Sequence, residues 1–348
     1  MSNSYKEFDQ LVEAADNIII TSHLRPDADA IGSVLAVKAY IDAKFPHKQA
    51  RINISGAPTQ VWDFMDKQKQ VQWVGDISNQ IQSGDLVIFL DASQLSRFSD
   101  SPQAIKLNAI KTICIDHHPD STDKFDFSYI DTNSVANCHN IYKLLFEQQQ
   151  QLLTQQCIES LLMGILGDTG TFRFVSYHNA DILDTAKLLI EKGQIKMQSF
   201  ELGLAQLSAA DIDMMQQLLA NAQHVHETDP KRSFTFTYLP LSILETYPNE
   251  HIIKAAVNKF LYQFMGKLAN CRWGFVVTPR STSDISIGFR STPGGPSVRL
   301  IAQEFGGGGH PLTSGAQYLI KPGEIIDSKD IALSFAQKIK TLDFTYVD

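Results

Sequence analysis

The chain has 348 residues, 43% of them apolar and 20% charged, and a formal net charge of −8. That composition suits a globular protein long enough for two domains. It argues against long duplex nucleic acid as the main partner, which calls for a basic surface. Charge is uneven, with a net of −12 in residues 1–230 and +4 in residues 231–348. No run of about 18 apolar residues offers a membrane span, and the polar, amphipathic N-terminus lacks the apolar centre of a signal peptide. The four cysteines, Cys114, Cys138, Cys157 and Cys271, form no CxxC pair. They read as reduced, buried thiols, so the expected location is cytoplasmic.

In chain order, "YKEFDQLVEAAD" spaces its apolar residues as a helix and "NIIITS" reads as a buried strand. "ADAIGSVLAVKAYIDAKF" is helical with Asp29 near its start, and "ARINIS" is a strand. "GDLVIFLDAS" is an apolar run ending in Asp91, and "KTICIDHHPD" repeats that pattern and ends in Asp116, His117 and His118. The stretch 147–156, "EQQQQLLTQQ", reads as an exposed helix start. "IESLLMGILGDTGTFRF" is an apolar helix leading to Asp168, and residues 179–230 read as all helical. A second α/β region follows, with strands "RSFTFTYLP", "WGFVVTPR" and "DISIGFRS" and a loop "FGGGGHPLTSGA". Strands alternating with helices predict a parallel α/β sheet.

Ligands of such sheets gather outside the carboxyl ends of the strands. The polar clusters His23–Asp29, Asp91 and Asp116–His118 each follow an apolar strand, so they are expected at one edge. Any single Asp there usually serves as a cap or a turn residue. Several carboxylates and imidazoles at one edge repel or mismatch unless a cation lies between them. A pair of divalent ions answers this, and oxygen ligands with a few imidazoles favour Mn²⁺ over Mg²⁺ or Fe²⁺. Two such ions clamp the attacking and leaving oxygens of a phosphoryl displacement, with a bridging water ionised near neutral pH. The "GGGGH" run lacks both the P-loop and the dinucleotide spacing. Its glycines nonetheless let main-chain amides approach an anion, with Arg290 and His310 adding positive charge.

These motifs resemble the DHH phosphoesterase superfamily, in the subfamily with a C-terminal DHHA1 domain. "HLRPDADAIGS", "FLDAS", "IDHHPD" and "GILGDTGTFRF" are similar to its four N-terminal motifs, and "GFRST…FGGGGHPLTSGA" to the DHHA1 signature. The likeness runs through nearly the whole chain, in the expected order. It is greatest to the Nrn-type oligoribonucleases and pAp phosphatases. The resemblance implies a parallel-sheet DHH domain over residues 1–178, a helical linker over 179–230 and a smaller α/β DHHA1 domain over 231–348, with the active site in the interdomain cleft. It implies Mn²⁺-dependent hydrolysis of short oligoribonucleotides, pApA-like dinucleotides or pAp. Short RNA or small nucleotides would be the partners, with no long duplex and no membrane, and a homodimer stays open.

By the same resemblance His23, Asp27 and Asp91 would hold one metal ion, and Asp29, Asp91, His117 and Asp168 the other. Asp91 would bridge, Asp116 would orient its neighbours, and His118 would contact the scissile phosphate. Arg290, Ser291, Gly307, Gly308, Gly309 and His310 would bind the rest of the substrate. Two departures stand out. Thr313 occupies a position where the signature usually has a small residue, and "DTNSVANCHNIYKLL" differs in detail from related proteins. Asn137 and His139 there read as helix-start residues, with substrate contact as the alternative. Arg173 reads either as a phosphate contact or as a surface ion pair. His47, His178, His224, His226 and His251 are expected in solvated or capping roles, and Trp62, Trp73 and Trp273 as core or cleft-wall residues. The competing functions are a pyrophosphatase or exopolyphosphatase, a non-catalytic nucleotide sensor, and a RecJ-type exonuclease.

Overall fold

Strand β1 (Ile18–Ser22) is buried over its whole length, as an apolar run between two packed layers must be. The computed structural model describes residues 4–58, 62–119, 123–198, 200, 207–267, 271–321, 323–324 and 326–347. It divides into two units, residues 1–205 and 206–348.

The first unit is built on β1, β2 (Ala50–Ser55), β3 (Val71–Val74), β4 (Leu86–Leu90), β5 (Lys111–Asp116) and β6 (Phe127–Ile130). Their order is β3-β2-β1-β4-β5-β6, with every neighbouring pair parallel. This is the doubly wound order, whose direction reverses between β1 and β4. Ser22 pairs with Leu90, and Leu90 with Ile115, so three strand ends finish level at that reversal.

The two faces of the sheet are covered differently. Ile18, Ile20, Ile88 and Ile115 pack with α1 (Ser4–Ala14), α2 (Ala28–Lys44), α3 (Asn137–Ile141) and α4 (Gln155–Asp168). The alternate residues Ile19, Val87 and Phe89 point the other way, as a strand's period of two requires. They meet Ile77, Phe98 and Ile105, carried by short 3-10 turns rather than long helices. Each fully buried Ile or Phe contributes roughly 1.5–3 kcal/mol.

Gln149 departs from the exposed helix start expected over 147–156. It is buried, and its Nε2 donates to the Tyr40 hydroxyl and to the Leu145 carbonyl. The helix begins only at Gln155, behind the N-cap Thr154. An amide amid apolar side chains is tolerated here because both donors find acceptors.

The span 179–230 is shared between the units. Helix α5 (Asp181–Gly193) buries Ile182, Ala186 and Leu189 in the core of the first unit. Helix α6 (Ala209–Ala220) buries Met214, Met215 and Leu218 in the second. The span is not helical throughout: Gln223–Val225 forms strand β7, antiparallel to β8 (Phe234–Tyr238).

The second sheet continues with β9 (Trp273–Pro279), β10 (Asp284–Ser291), β11 (Gly308–His310) and β12 (Thr313–Leu319). Its order is β11-β12-β10-β9-β8-β7, and only β8 and β9 run parallel. Phe275, Phe289 and Trp273 pack on one face with α9 (Ser328–Ile339), while Val276 faces α6 and α7 (Glu250–Phe264) on the other. Helix α8 (Val298–Gln303) lies between β10 and β11 in the chain. The glycine-rich stretch read as a loop is therefore partly strand, closing a hairpin. A Cβ on Gly307 would collide with the carbonyl of Gly315, so glycine is required where β11 meets β12.

Candidate metal centre

Three strand ends and one helix end supply the cluster. After β1, the chain passes through Arg25 in the left-handed region (φ 57°) and reaches Asp27, the N-cap of α2. Asp27 Oδ1 accepts from the amides of Asp29 (3.1 Å) and Ala30 (3.0 Å). Its Oδ2 lies 3.9 Å from His23 Nε2. One carboxylate thus starts the helix and faces the cluster.

Asp91, directly after β4, is also left-handed (φ 64°) and only 1% exposed. That conformation is uncommon outside glycine and is best tolerated by Asn and Asp. Its two oxygens diverge: Oδ2 is 3.4 Å from His23 Nε2, and Oδ1 is 3.4 Å from His117 Nε2. His117 Nε2 is also 3.4 Å from Asp168 Oδ2 at the end of α4. His23, Asp27 and Asp91 form one group whose ligand atoms can converge on an ion, and Asp29, His117 and Asp168 form another. Asp91 with His117 and His118 forms a third, so Asp91 is shared. All six residues expected as metal ligands are brought together.

Hydrogen bonds set the histidine tautomers. His23 Nδ1 lies 2.9 Å from the Leu24 carbonyl, and His117 Nδ1 3.2 Å from the Ser134 carbonyl. A carbonyl only accepts, so Nδ1 carries a proton and Nε2 is the atom each ring turns to the carboxylates, where a cation would displace its proton. His118 Nδ1 bonds Asp116 Oδ1 at 2.8 Å, leaving its Nε2 free of Asp116. The same Asp116 oxygen accepts the main-chain amides of His117 and His118. Asp116 thereby bonds the His-His pair through one oxygen.

The electrostatics follow from crowding four carboxylates. Burial, and then the charge of Asp91, push Asp29 up to about 7. Burial, followed by Asp29, Asp27 and Asp91, raises Asp168 well above the carboxylate range. Burial disfavours the charged form of His117, yet Asp91 and Asp29 outweigh it and raise its pKa to about 9. Burial likewise opposes ionised Asp91, but His117 and His23 hold it well below the usual range. Asp91 Oδ1 and His117 Nε2 are buried without a hydrogen-bond partner, although they are close to each other. Such orphaned polar groups are costly unless a cation takes them up. Oxygen and imidazole donors without a thiolate fit a hard or borderline divalent ion.

Residue types did not reveal one part of the centre. Asp29, fully buried, accepts main-chain amides from Asn137 (2.5 Å) and Cys138 (2.9 Å) at the start of α3. Any residue except proline presents such an amide, so the only legible signal was a helix start. Asn137 and His139 are themselves 0% and 1% exposed. Asn137 Nδ2 donates to Ser33 Oγ of α2, and His139 Nδ1 lies 3.3 Å from Ser134 Oγ, so neither side chain caps the helix.

In the second unit, Arg290 pairs with Thr313, and Thr313 with His310. Residues directly opposite one another share a sheet face, so these three form one row across β10, β12 and β11. Arg290 Nη1 donates to the Phe289 carbonyl, and burial lowers its pKa. Ser291 alternates to the opposite, buried face, whereas His310 is exposed. Gly307, Gly308 and Gly309 lead into His310. Elsewhere, Trp273 is core, Trp62 and Trp73 are half-buried, and Arg173 is exposed. His47 bonds Glu13, and His178, His224 and His226 are exposed. The side chain of His251 lies outside the described residues.

The model of the DHH family, N-terminal domain, matches residues 17–165, a span that takes in every residue of the centre except Asp168. Residues 17–165 are a DHH domain. The DHH family comprises phosphoesterases that depend on divalent metal ions, and the chain is a hydrolase. The bifunctional oligoribonuclease and PAP phosphatase NrnA of Bacillus subtilis is 28% identical over 324 residues, spanning 89% of this chain and 92% of that protein. The NrnA of the same description from Thermus thermophilus is 26% identical over 303 residues, spanning 86% and 83%. The solved structure of an exopolyphosphatase-related protein from Bacteroides fragilis shares the fold. Its TM-score is 0.79 at 20% identity, over 97% of this chain and 96% of that one. Among the described residues no helix is long and apolar enough to cross a membrane.

Proposed function

We propose that this DHH protein hydrolyses short oligoribonucleotides, pApA-like dinucleotides and pAp, using two Mn²⁺ ions that Mg²⁺ or another divalent ion can replace. The observation that carries this is the division of Asp91 between two histidines, each with Nε2 freed by a carbonyl at Nδ1. His23, Asp27 and Asp91 would hold one ion, and Asp29, His117 and Asp168, with Asp91 shared, the other. Ions bound there would polarise the phosphate and acidify water.

The protein's own groups do the rest. Asp116 orients His118, whose Nε2 is turned away from Asp116 to hydrogen-bond a phosphate oxygen and stabilise the charge that grows there. Arg290 and His310 bind another phosphate or the terminal nucleotide, with Gly307, Gly308, Gly309 and Ser291 completing that subsite. The row that Arg290 and His310 share supports this part. The names of the relatives support oligoribonucleotides and pAp as the substrate class.

The test is Mn²⁺-dependent product release from pAp, pApA, a short and a long RNA, and pyrophosphate, with Asp91→Ala as control. Turnover of the short nucleotides, lost in Asp91→Ala, is the expected result. Cleavage of pyrophosphate alone would replace this reading with a pyrophosphatase, and metal binding without any turnover would replace it with a sensor.

A further inference from the structure

Asp29 lies where three helices crowd together. It is in the first turn of α2, and both of its oxygens accept amides from the start of α3, more than one hundred residues away in the chain. Behind it runs α4. A Cβ on Gly164 would stand 2.6 Å from Asp29 Oδ1 and 3.1 Å from Asp29 Cα, and closer still to Cys138 Sγ. A Cβ on Gly32 would reach 2.5 Å from the Ser160 carbonyl. The two glycines therefore let α2 and α4 approach closely enough for the start of α3 to sit against Asp29. The same segment carries Ser134, whose carbonyl holds His117 Nδ1.

We infer that the entry to α3, residues 134–138, is a positioning element for one ion group only, that of Asp29, His117 and Asp168, with Gly164 making room for it. The inference rests on the metal-dependent reading above. It goes further in making the two ion affinities separately adjustable. The His23–Asp27–Asp91 group takes its orientation from other partners, namely the Leu24 carbonyl, the amides of Asp29 and Ala30, and the backbone bend at Asp91. Partners that orient ligands typically contribute about 10–100-fold in metal affinity.

Asn137 allows a clean test. It is the first residue of α3, where proline is well accommodated, and Ala136 before it is already extended (φ −150°, ψ 139°). Asn137→Pro deletes the amide that serves Asp29, whereas Asn137→Ala deletes the side chain and keeps the amide. Metal-free full-length protein would be titrated with Mn²⁺, counting bound ions by the resonance of free Mn²⁺. Two ions should bind to the parent and to Asn137→Ala. In Asn137→Pro one should bind as before and the other at least tenfold more weakly. Equal binding of both ions by the two variants would overturn the inference, as would equal losses. If Asn137→Pro does not fold, Gly164→Ala with Cys138→Ala replaces it. Removing Sγ clears that collision but leaves the one with Asp29, so the weak ion should remain weak. Recovery of both ions would overturn the inference. A parent that binds no Mn²⁺ would instead refute the metal-dependent reading itself.

Discussion

The two units place their polar residues by opposite routes. In the first, His23, Asp91 and His117 come from three strands that meet only because β1 lies beside β4 and β4 beside β5. His23 and Asp91 are buried and His117 is partly so, and hydrogen bonds to main-chain carbonyls orient both histidines. In the second, Arg290 and His310 reach one row through a local antiparallel arrangement, and His310 stays exposed. Buried charge needs a counter-charge and a rigid frame, whereas an exposed row needs only strand register. On the proposed function, the first unit would carry the chemistry and the second the recognition.

The strongest way to break this contrast is Asp91→Ala. It removes the residue shared by both ion groups and should lower kcat by about 10³-fold or more, equivalent to roughly 4 kcal/mol. Near-normal turnover would show that the first unit does not house the chemistry. Arg290→Ala should raise KM for a short oligonucleotide while kcat changes little. A charged hydrogen bond of about 1.5–3 kcal/mol predicts a rise on the order of ten- to a hundredfold. An unchanged KM would deny the second unit its recognition role.

Metal addition sharpens the comparison without mutation. At a free Mn²⁺ concentration one hundredfold above Kd, each ion should stabilise the protein by about 2.7 kcal/mol. Hydrogen exchange should slow at the ends of β1, β4 and β5 and at the start of α3, with β10–β12 unaffected. Equal protection of both units would erase the distinction.

The smallest expected effect concerns His139. Burial, and then Lys143, lower its pKa to about 4, below the ordinary value near 6.5. Between those values the unfolded chain takes up a proton that the folded chain refuses, so stability is full above pH 6.5 and falls as pH drops towards 4. The slope from this group is at most about 1.4 kcal/mol per pH unit. Denaturant titrations of the parent and of His139→Gln should diverge in slope across that window, and parallel curves would count against a buried neutral His139.

The sequence by itself determined the residue types and where they sit. Apolar runs ending in His23, Asp91 and Asp116–His118 are local patterns, and each emerged as a strand with its polar cluster at the carboxyl end. The motifs then identified the superfamily. Strand β3, strand β6 and the β11 hairpin escaped notice because their residues are half-exposed or glycine, with no strong period. Gln149 was misread because glutamine is usually solvated, and only the packing of Tyr40 and Lys44 around it showed otherwise. Tertiary structure alone decided that β1 adjoins β4, that Asp91 splits its oxygens between two histidines, and that main-chain amides from α3 grip Asp29. Those facts depend on contacts between segments far apart in the chain, and on main-chain groups that every sequence shares. A local pattern of side chains carries no record of them.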